Sequence, residues 1–173
     1  LLQTLDLSGY HASKDRDRLQ REYENLQKKG VAFTYPGKTD YPERLCCIPD
    51  APLGLYYKGA LPEESQKAIA IIGARNCSRY GMEMARFFGR ELAKCDIAVI
   101  SGLARGIDGM GHRGALEGNG YTLGILGCGV DIVYPTENYE LFMKMERQGG
   151  ILSESNIGIQ PFAGLFPQRN RLI

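Results

Sequence analysis

Three glycine-containing segments of this sequence have the composition of phosphate-binding loops. Glycine lets the backbone approach an anion closely, and an arginine guanidinium donates two parallel hydrogen bonds to one phosphate. Two of the segments contain both arginine and serine, and a simple tight turn is the alternative interpretation for any one of them alone. The segments are 73–81 (GARNCSRYG), 101–109 (SGLARGIDG) and 127–135 (GCGVDIVYP).

Each of these segments follows an apolar run and leads into a helical pattern. Alternating strands and helices of this length predict right-handed βαβ units and a parallel sheet. The carboxyl ends of parallel strands share one edge of a sheet, so the loops are expected to form one anion site there. The predicted strands are 68–72, 97–100, 121–126 and 150–152, and the predicted helices are 80–94, 107–117 and 137–148. The first run is uninterrupted, which is typical of a strand buried on both faces.

The remaining segments divide the chain into two predicted domains. Residues 1–30 have a helical pattern in which Ser13 is the expected N-cap and Gly30 the end, with a charged, solvated face. Residues 31–66 are rich in proline and glycine and predict a compact lead-in with one or two short strands. Residues 67–173 form the core, and we expect the fold to continue with further strands beyond residue 173.

Composition excludes several classes of protein. The net charge is only +1, so any polyanion site must be local. The five cysteines form no C-x-x-C pair and only two histidines are present, so we expect no metal site. Free thiols and the absence of an 18-residue apolar run predict a cytoplasmic protein without a membrane span. Neither G-x-G-x-x-G nor G-K-[ST] follows a predicted strand, which disfavours a nicotinamide or ATP enzyme and predicts no cofactor.

Candidates for catalysis are few. Asp108 and His112 are four residues apart on one helix, but a helix-start acid and a packed histidine are the more common interpretation of such a pair. Glu154 follows a strand and lacks an evident partner in the sequence. Cys77 and Cys128 lie in the glycine-containing loops without an obvious histidine and are interpreted as small loop residues.

Taken together and in order, the motifs of this chain resemble those of the DNA-processing protein A (DprA/Smf) family over residues 31–173. The matching strings are IIGARN (71–76), SGLARGID (101–108), HRGAL (112–116), LGCGVD (126–131), YP (134–135), LSE (152–154) and FPQRNR (166–171). The resemblance implies an α/β fold with a Rossmann-like parallel sheet and helices on both faces. It also implies that residues 1–30 are the last helix of an N-terminal helical domain.

The same resemblance implies a function. Members of the family bind single-stranded DNA during natural transformation, protect it and help load the RecA recombinase, without a cofactor or known catalysis, and the full-length proteins are expected to dimerise. In this chain Arg75 corresponds to a phosphate-pocket arginine and Phe166 to a residue placed to contact bases. The predicted DNA-binding or phosphate-binding residues are Gly73, Arg75, Asn76, Ser78, Ser101, Gly102, Arg105, Gly127, Phe166, Arg169 and Asn170.

Two alternatives and one departure accompany this interpretation. The family often carries a basic residue before the F-P stretch, whereas residues 161–165 here read PFAGL. One alternative function is a nucleotide phosphoribohydrolase on a related fold, although the P-G-G-x-G-T-x-x-E motif of those enzymes does not occur in residues 1–173. The other alternative is a sensor that holds a single nucleotide in the same pocket.

Overall fold

The computed structural model describes residues 12–173, which divide by their contacts into two units at Gly30. In the first unit, helix α1 spans Ala12–Lys28, so the predicted helix is confirmed. Ser13 lies inside this helix rather than before it, and the prediction that Ser13 is the N-cap is wrong. The chain leaves the helix at Gly30, which adopts φ +63°, a conformation that glycine tolerates without steric cost.

The second unit is built on one six-stranded sheet with the strand order β1-β2-β6-β5-β4-β3. Strands β3 to β6 are parallel, which confirms the predicted parallel core. The lead-in contributes β1 and β2, which pair antiparallel to each other and to β6, so the complete sheet is mixed. The strands are β1 (Ala32–Thr34), β2 (Leu55–Gly59), β3 (Ala68–Ala70), β4 (Ala98–Ser101), β5 (Thr122–Leu126) and β6 (Gly150–Ser153).

The three long helices of this unit connect the parallel strands and lie on one face of the sheet. They are α2 (Arg79–Lys94), α3 (Ile107–Glu117) and α4 (Tyr139–Gln148). Because β3 to β6 are neighbours in chain order, three successive right-handed crossovers place their helices on the same side. The register agrees: Val99 packs with Ala93 of α2 and Ala115 of α3, and a Cβ on Gly124 would lie 3.0 Å from Met145 of α4.

The opposite face carries the main apolar core and is covered by short elements. Side chains that alternate with Val99 and Gly124 along β4 and β5 point to this face. Two 3-10 helices, Glu43–Cys47 and Asn170–Leu172, supply Leu45 and Leu172 as its cover. The Rossmann-like α/β class with helices on both faces is therefore observed, with the three long helices on one face and short helices on the other. The core consists of Tyr41, Leu45, Leu55, Ala98, Ile100, Leu123, Ile125, Leu152 and Leu172.

Strand β3 differs from its prediction. The apolar run 68–72 predicted a strand buried on both faces, yet β3 is the last strand of the described sheet. Ile69 is 44% exposed, and Ile72, beyond the end of the strand, is 65% exposed. The prediction of burial on both faces is wrong because burial depends on neighbouring strands, which the composition of a single run does not specify.

Helices α2 and α3 pack so closely that their backbones touch. A Cβ atom on Gly114 of α3 would overlap the carbonyl oxygen of Arg86 on α2, and one on Gly89 of α2 would overlap the carbonyl oxygen of Gly111. Glycine costs about 1 kcal/mol of helix propensity relative to alanine. Glycine is required at these positions despite this cost, because a Cβ atom would prevent the close contact. The contact places α3 where its first turn meets the loops at the carboxyl edge of the sheet.

We predict that Gly114→Ala lowers the free energy of unfolding by about 1–3 kcal/mol, the usual cost of inserting a methyl group into a packed interface. The matched control is Gly81→Ala on α2, where the nearest atom to the new Cβ is the flexible Cδ1 of Ile107 at 3.3 Å. The control is expected to be neutral or slightly stabilising, since alanine favours the helix. Urea unfolding of both variants measures the difference, and equal midpoints would contradict the proposed tight contact.

Candidate functional site

A cavity of about 230 Å³ lies at the carboxyl edge of the sheet, where the loops after β3, β4 and β5 meet the short helix α5 (Leu165–Arg169). This is the edge at which the sequence predicted an anion site. Seven of the eleven predicted residues line the cavity. Among the described residues, the lining consists of Arg75, Asn76, Gly102, Ala104, Arg105, Leu126, Gly127, Cys128, Tyr134, Pro135, Phe166 and Arg169.

The loops after β3 and β4 are held together through their backbones. Gly106 adopts φ +75°, and a Cβ atom there would overlap the carbonyl oxygen of Ala74. The backbone N–H of Ile107, the first residue of α3, donates to the same carbonyl at 3.3 Å. Only glycine fits both the conformation and the space, so this contact sets the position of Arg75 relative to the start of α3.

Asn138 holds the loop after β4 through hydrogen bonds to its backbone. Its buried amide donates to the carbonyl oxygens of Leu103 at 3.0 Å and Ala104 at 3.3 Å. Asn138 was not predicted from the sequence, because an asparagine at the start of a helix is usually interpreted as a local cap. Its partners lie more than thirty positions earlier in the chain, so no short-range pattern reveals them.

Arg75 lies against an aromatic ring rather than a carboxylate. Its guanidinium carbon is 5.4 Å from the ring centroid of Phe166, within the range of a cation–π contact. Phe166 in turn stacks on Tyr134, with ring centroids 5.7 Å apart and an interplanar angle of 24°. Among the described residues, no carboxylate lies within salt-bridge distance of Arg75. Arg75 therefore forms no ion pair with Asp108 or Asp131, the two acidic residues of the neighbouring loops.

Arg169 lines the same cavity but is committed to the protein. It is 8% exposed, and its Nη1 donates to the carbonyl oxygens of Ile125 and Gly102, the latter at 3.0 Å. A Cβ atom on Gly102 would overlap the guanidinium, so the glycine makes room for it. Burial lowers the pKa of Arg169, and the negative charge of Asp108 acts in the opposite direction. This side chain ties the chain after β6 to the ends of β4 and β5.

Arg105 occupies the exposed rim. Its Nη1 lies 3.5 Å from Glu137 Oε1, and both side chains are more than half exposed. Surface pairs of this kind contribute only about 0–1 kcal/mol. Arg105 can therefore turn from Glu137 to an incoming anion at little cost in free energy.

The other four predicted residues do not line the cavity. Gly73 packs against Ile107, and Ser78 caps α2 by accepting a hydrogen bond from the Gly81 N–H at 3.1 Å. Ser101 is fully buried, and its hydroxyl donates to the carbonyl oxygen of Ile71 at 2.5 Å. Asn170 accepts a hydrogen bond from Arg169 Nε at 3.2 Å. In this structure these residues shape the loops around the cavity.

The Asp108–His112 pair is structural. Asp108 is buried in the first turn of α3, where one carboxylate oxygen accepts the Gly102 N–H at 3.2 Å. His112 is fully buried with Nδ1 2.6 Å from the hydroxyl oxygen of Thr122, and that hydroxyl donates to the Val99 carbonyl. His112 Nδ1 is consequently the donor, and Nε2 has no partner among the described residues. Burial lowers the pKa of His112 to about 3, and the positive charge of Arg169 acts in the same direction.

The remaining candidates for catalysis are also engaged. Burial raises the pKa of the Cys128 thiol to about 11, so at neutral pH it remains a protonated loop residue rather than a nucleophile. Glu154, which has no evident partner in the sequence, accepts from Arg171 Nη2 at 2.8 Å. Within residues 12–173, no cluster of three or more His, Cys, Asp or Glu side chains is arranged to hold a metal ion. No helix of that range is long and apolar enough to cross a bilayer.

Five lining residues were not assigned to the site from the sequence. Ala104 and Leu126 have no side-chain chemistry that marks a site, and Cys128 was interpreted only as a loop residue. Tyr134 and Pro135 were part of a matched motif but had no role. The one available signal for Tyr134 was an aromatic residue in a loop at the ligand edge, the same signal that selected Phe166.

The family model for DNA recombination-mediator protein A matches residues 32–173, and this chain belongs to that family. Among curated proteins, the chain is 40% identical to protein Smf of Synechocystis over 154 residues, covering 87% of this chain and 39% of that protein. It is 38% identical to DNA processing protein DprA of Streptococcus pneumoniae over 133 residues, covering 77% of this chain and 47% of that protein. The chain therefore spans less than half the length of these two relatives.

Two solved structures share the fold. DNA processing protein A from Streptococcus pneumoniae superposes with a TM-score of 0.74 at 32% identity, covering 89% of this chain and 55% of that one. DNA processing protein A from Helicobacter pylori gives a TM-score of 0.72 at 29% identity, covering 84% of this chain and 66% of that one. The Helicobacter protein is described as having a single-stranded DNA binding mode. These matches confirm the Rossmann-like class predicted from the sequence.

We predict that Arg169→Met lowers the free energy of unfolding by about 2–4 kcal/mol, because the carbonyls of Gly102 and Ile125 lose a buried donor and Asp108 loses a nearby cation. The matched control is Arg75→Met, the same substitution in the same cavity at a side chain that has no hydrogen bond to another described residue. The control is expected to stay within about 0.5 kcal/mol of the wild type. Urea unfolding distinguishes them, and similar losses in both variants would be inconsistent with a structural role specific to Arg169.

We predict that His112 makes stability fall with acid. Its folded pKa lies below the unfolded value, so the unfolded chain binds more protons between about pH 6.5 and pH 3, and stability is lost as pH falls through that window. From about pH 7 to about pH 5 the loss from this residue is about 2 kcal/mol. Urea midpoints at both pH values compare the wild type with His112→Gln, whose side chain does not titrate. The idea fails if both proteins lose the same stability.

Proposed function

We propose that this domain binds single-stranded DNA by holding a backbone phosphate in the cavity between the loops after β3 and β4. The observation that carries the proposal is Arg75: its guanidinium borders the cavity and is paired with no described carboxylate, only with the ring of Phe166. Arg105 on the rim adds a second cation that is held only by a surface pair.

The size of the cavity supports a phosphate of a longer strand rather than an enclosed nucleotide. Pockets for drug-sized ligands usually measure about 300–1,000 Å³, whereas this one measures about 230 Å³. A phosphate can enter it while the neighbouring nucleotides run along the edge of the sheet. This argues against a single-nucleotide sensor.

The lining of the cavity supports binding without catalysis. None of its twelve residues is aspartate, glutamate or histidine, the usual general acids and bases. Cys128 remains protonated, and Asp108 is occupied by the Gly102 backbone. A phosphoribohydrolase needs a carboxylate at the reacting centre, so we propose that the domain is not an enzyme.

In the full-length protein, we propose that this binding serves recombination of DNA taken up in natural transformation. The family membership and the single-stranded DNA mode named for the Helicobacter relative support this role. Protection of the bound strand, loading of the RecA recombinase, a homodimer and a cytoplasmic location are parts of the same proposal. A strand held through its phosphates leaves its bases accessible for pairing by a recombinase.

We predict that Arg75→Ala weakens binding of single-stranded oligomers by the same factor whatever their base composition. For a thymidine oligomer, the slope of log affinity against log salt concentration is expected to fall by about one unit. Arg75→Lys is expected to restore only part of the affinity, because lysine keeps the charge and loses the two-pronged donor. The matched control is Arg79→Ala, which removes a cation four positions later that is 90% exposed and paired with Glu83. Fluorescence anisotropy at several salt concentrations measures all four proteins.

Further titrations separate the alternatives. Equal affinity for single-stranded and double-stranded oligomers would contradict the proposal, and so would an unchanged salt slope in Arg75→Ala. Binding of mononucleotides as tight as that of the oligomer would favour a nucleotide sensor. Release of free base from a nucleoside monophosphate would establish the enzyme instead.

A further inference from the structure

We propose that the groove between helices α3 and α4 is a second phosphate-binding site, which holds the backbone of the bound DNA strand after it leaves the cavity. The inference rests on the proposed function, because it extends the path of the same strand. The groove measures about 380 Å³ and is lined, among the described residues, by α3 and α4 alone. The family resemblance gave it no role, although Arg113 belongs to the matched string HRGAL (112–116).

The charged side chains of the groove are mainly cations. Arg113 of α3 and both Lys144 and Arg147 of α4 line it. Lys144 and Arg147 are three positions apart on one helix, a spacing that places them on the same face. The only carboxylate in the described lining is Glu117, and both of its oxygens face Arg86, whose Nε donates at 2.7 Å and whose Nη2 lies at 2.6 Å. The three cations of the groove therefore keep their positive charge.

Cations without a partner are concentrated at this groove. Within residues 31–173, most lysine and arginine side chains pair with a carboxylate, and Arg169 is bound to carbonyl oxygens. Those with neither a carboxylate nor a hydrogen-bond partner among the described residues are Lys67, Arg75, Arg113, Lys144 and Arg147. Arg75 borders the cavity, and three of the other four share the groove. In a protein whose net charge is only +1, such a local cluster is what a polyanion site requires.

The groove begins near the rim of the cavity. Arg105 and Glu137, which precede α3 and α4, lie 3.5 Å apart, and Asn138 bonds to the loop after β4, so the two helices start side by side at the carboxyl edge. Each helix follows a parallel strand, so both run from that edge in the same direction. With a rise of about 1.5 Å per residue, Arg113 lies about 9 Å and Arg147 about 12 Å along the helices from their first residues. A strand that passes Arg105 on leaving the cavity meets these cations next.

The groove fits a sugar-phosphate backbone better than an apolar segment. Leu116 and Leu141 lie at its base and are 9% and 1% exposed, so they offer a partner little apolar surface. The accessible groups are charges on long side chains, which contact the phosphates of a strand without regard to its bases. Stabilisation of a helix end explains only Arg147, in the last turn of α4, because Arg113 lies in the interior of α3.

The test varies the charge of the groove together with the length of the DNA. The groove variant combines Arg113→Gln, Lys144→Gln and Arg147→Gln, which remove three charges and keep side chains that favour a helix. Thymidine oligomers of about 4 and about 16 nucleotides span the footprints known for single-strand-binding domains. The short oligomer can be held by the cavity alone, whereas the long one can also reach the groove. Fluorescence anisotropy at several salt concentrations measures both.

The groove variant is expected to bind the long oligomer about 10- to 100-fold more weakly than the wild type at about 0.1 M salt, with a salt slope lower by about two units, since each phosphate contact contributes about 0.7. Its affinity for the short oligomer is expected to be unchanged. The matched control combines Lys67→Gln, Arg90→Gln and Lys94→Gln, which remove the same charge from positions that line neither the groove nor the cavity. The control is expected to bind both oligomers as the wild type does.

Several outcomes would overturn the proposal: an unchanged affinity of the groove variant for the long oligomer, an equal loss for both lengths, or an equal loss in the control. In each case the salt dependence of Arg75→Ala still tests the cavity separately. A polyglutamate peptide that binds the wild type but not the groove variant, with DNA binding unchanged, would assign the groove to an acidic protein segment instead. Absence of any oligomer binding by the wild type would reject the proposed function together with this inference.

The wild-type protein provides a second measurement that does not depend on the folding of a variant. Lys144 and Lys67 are both exposed and have no partner among the described residues, so an amine-acetylating reagent should label both. The long oligomer is expected to protect Lys144 several-fold and to leave Lys67 labelled, whereas the short oligomer should protect neither. Mass spectrometry of the labelled peptides measures the protection. Equal labelling of Lys144 with and without the long oligomer bound would contradict the proposed path of the strand.

Discussion

The parallel pairing of β3 to β6 in chain order is the constraint on which the rest of this domain depends. Strands β3 to β6 are neighbours in chain order, and right-handed connections between successive neighbours place α2, α3 and α4 on one face. Because the strands are parallel, every loop that leaves the carboxyl end of one of them emerges at the same edge. The cavity results from this geometry, because the loops after β3, β4 and β5 lie side by side at that edge and line it. The lead-in strands β1 and β2 extend the sheet beyond β6, and neither supplies a residue of the described lining.

Close packing turns that topology into a defined site. The glycines between α2 and α3 fix the start of α3, and Gly106 fixes the loop after β3 against it. The buried guanidinium of Arg169 then joins the end of the described chain to the carbonyls of Gly102 and Ile125. Two arginines of one cavity thus have opposite roles. Arg169 is held by hydrogen bonds and shapes the walls, whereas Arg75 has only the ring of Phe166 as a partner within residues 12–173.

The sequence predicted features that depend on local pattern and failed where distant neighbours decide. The apolar runs and glycine-containing segments predicted the parallel strands, the three long helices and the edge at which Arg75, Arg105 and Phe166 meet. The pattern did not give the strand order, and so it did not reveal that one face carries the three long helices and the other only short ones. Arg75 and Arg169 both sit in matched motifs, and residue type alone does not distinguish a free guanidinium from one that satisfies carbonyls. Asn138 and Tyr134 were missed for the same reason, because their roles come from contacts across the fold.

The contact between Arg75 and Phe166 has a thermodynamic consequence. A long, flexible side chain that must be ordered when a ligand arrives costs about 1–2 kcal/mol of rotamer entropy. Resting on an aromatic face, the guanidinium has already lost much of that freedom, yet it keeps its hydrogen-bond donors because a ring accepts none of them strongly. The contact with Phe166 therefore preorganises the Arg75 guanidinium without neutralising its charge. An acidic side chain in place of the ring would have ordered Arg75 equally well, but it would have neutralised the positive charge that an anion needs.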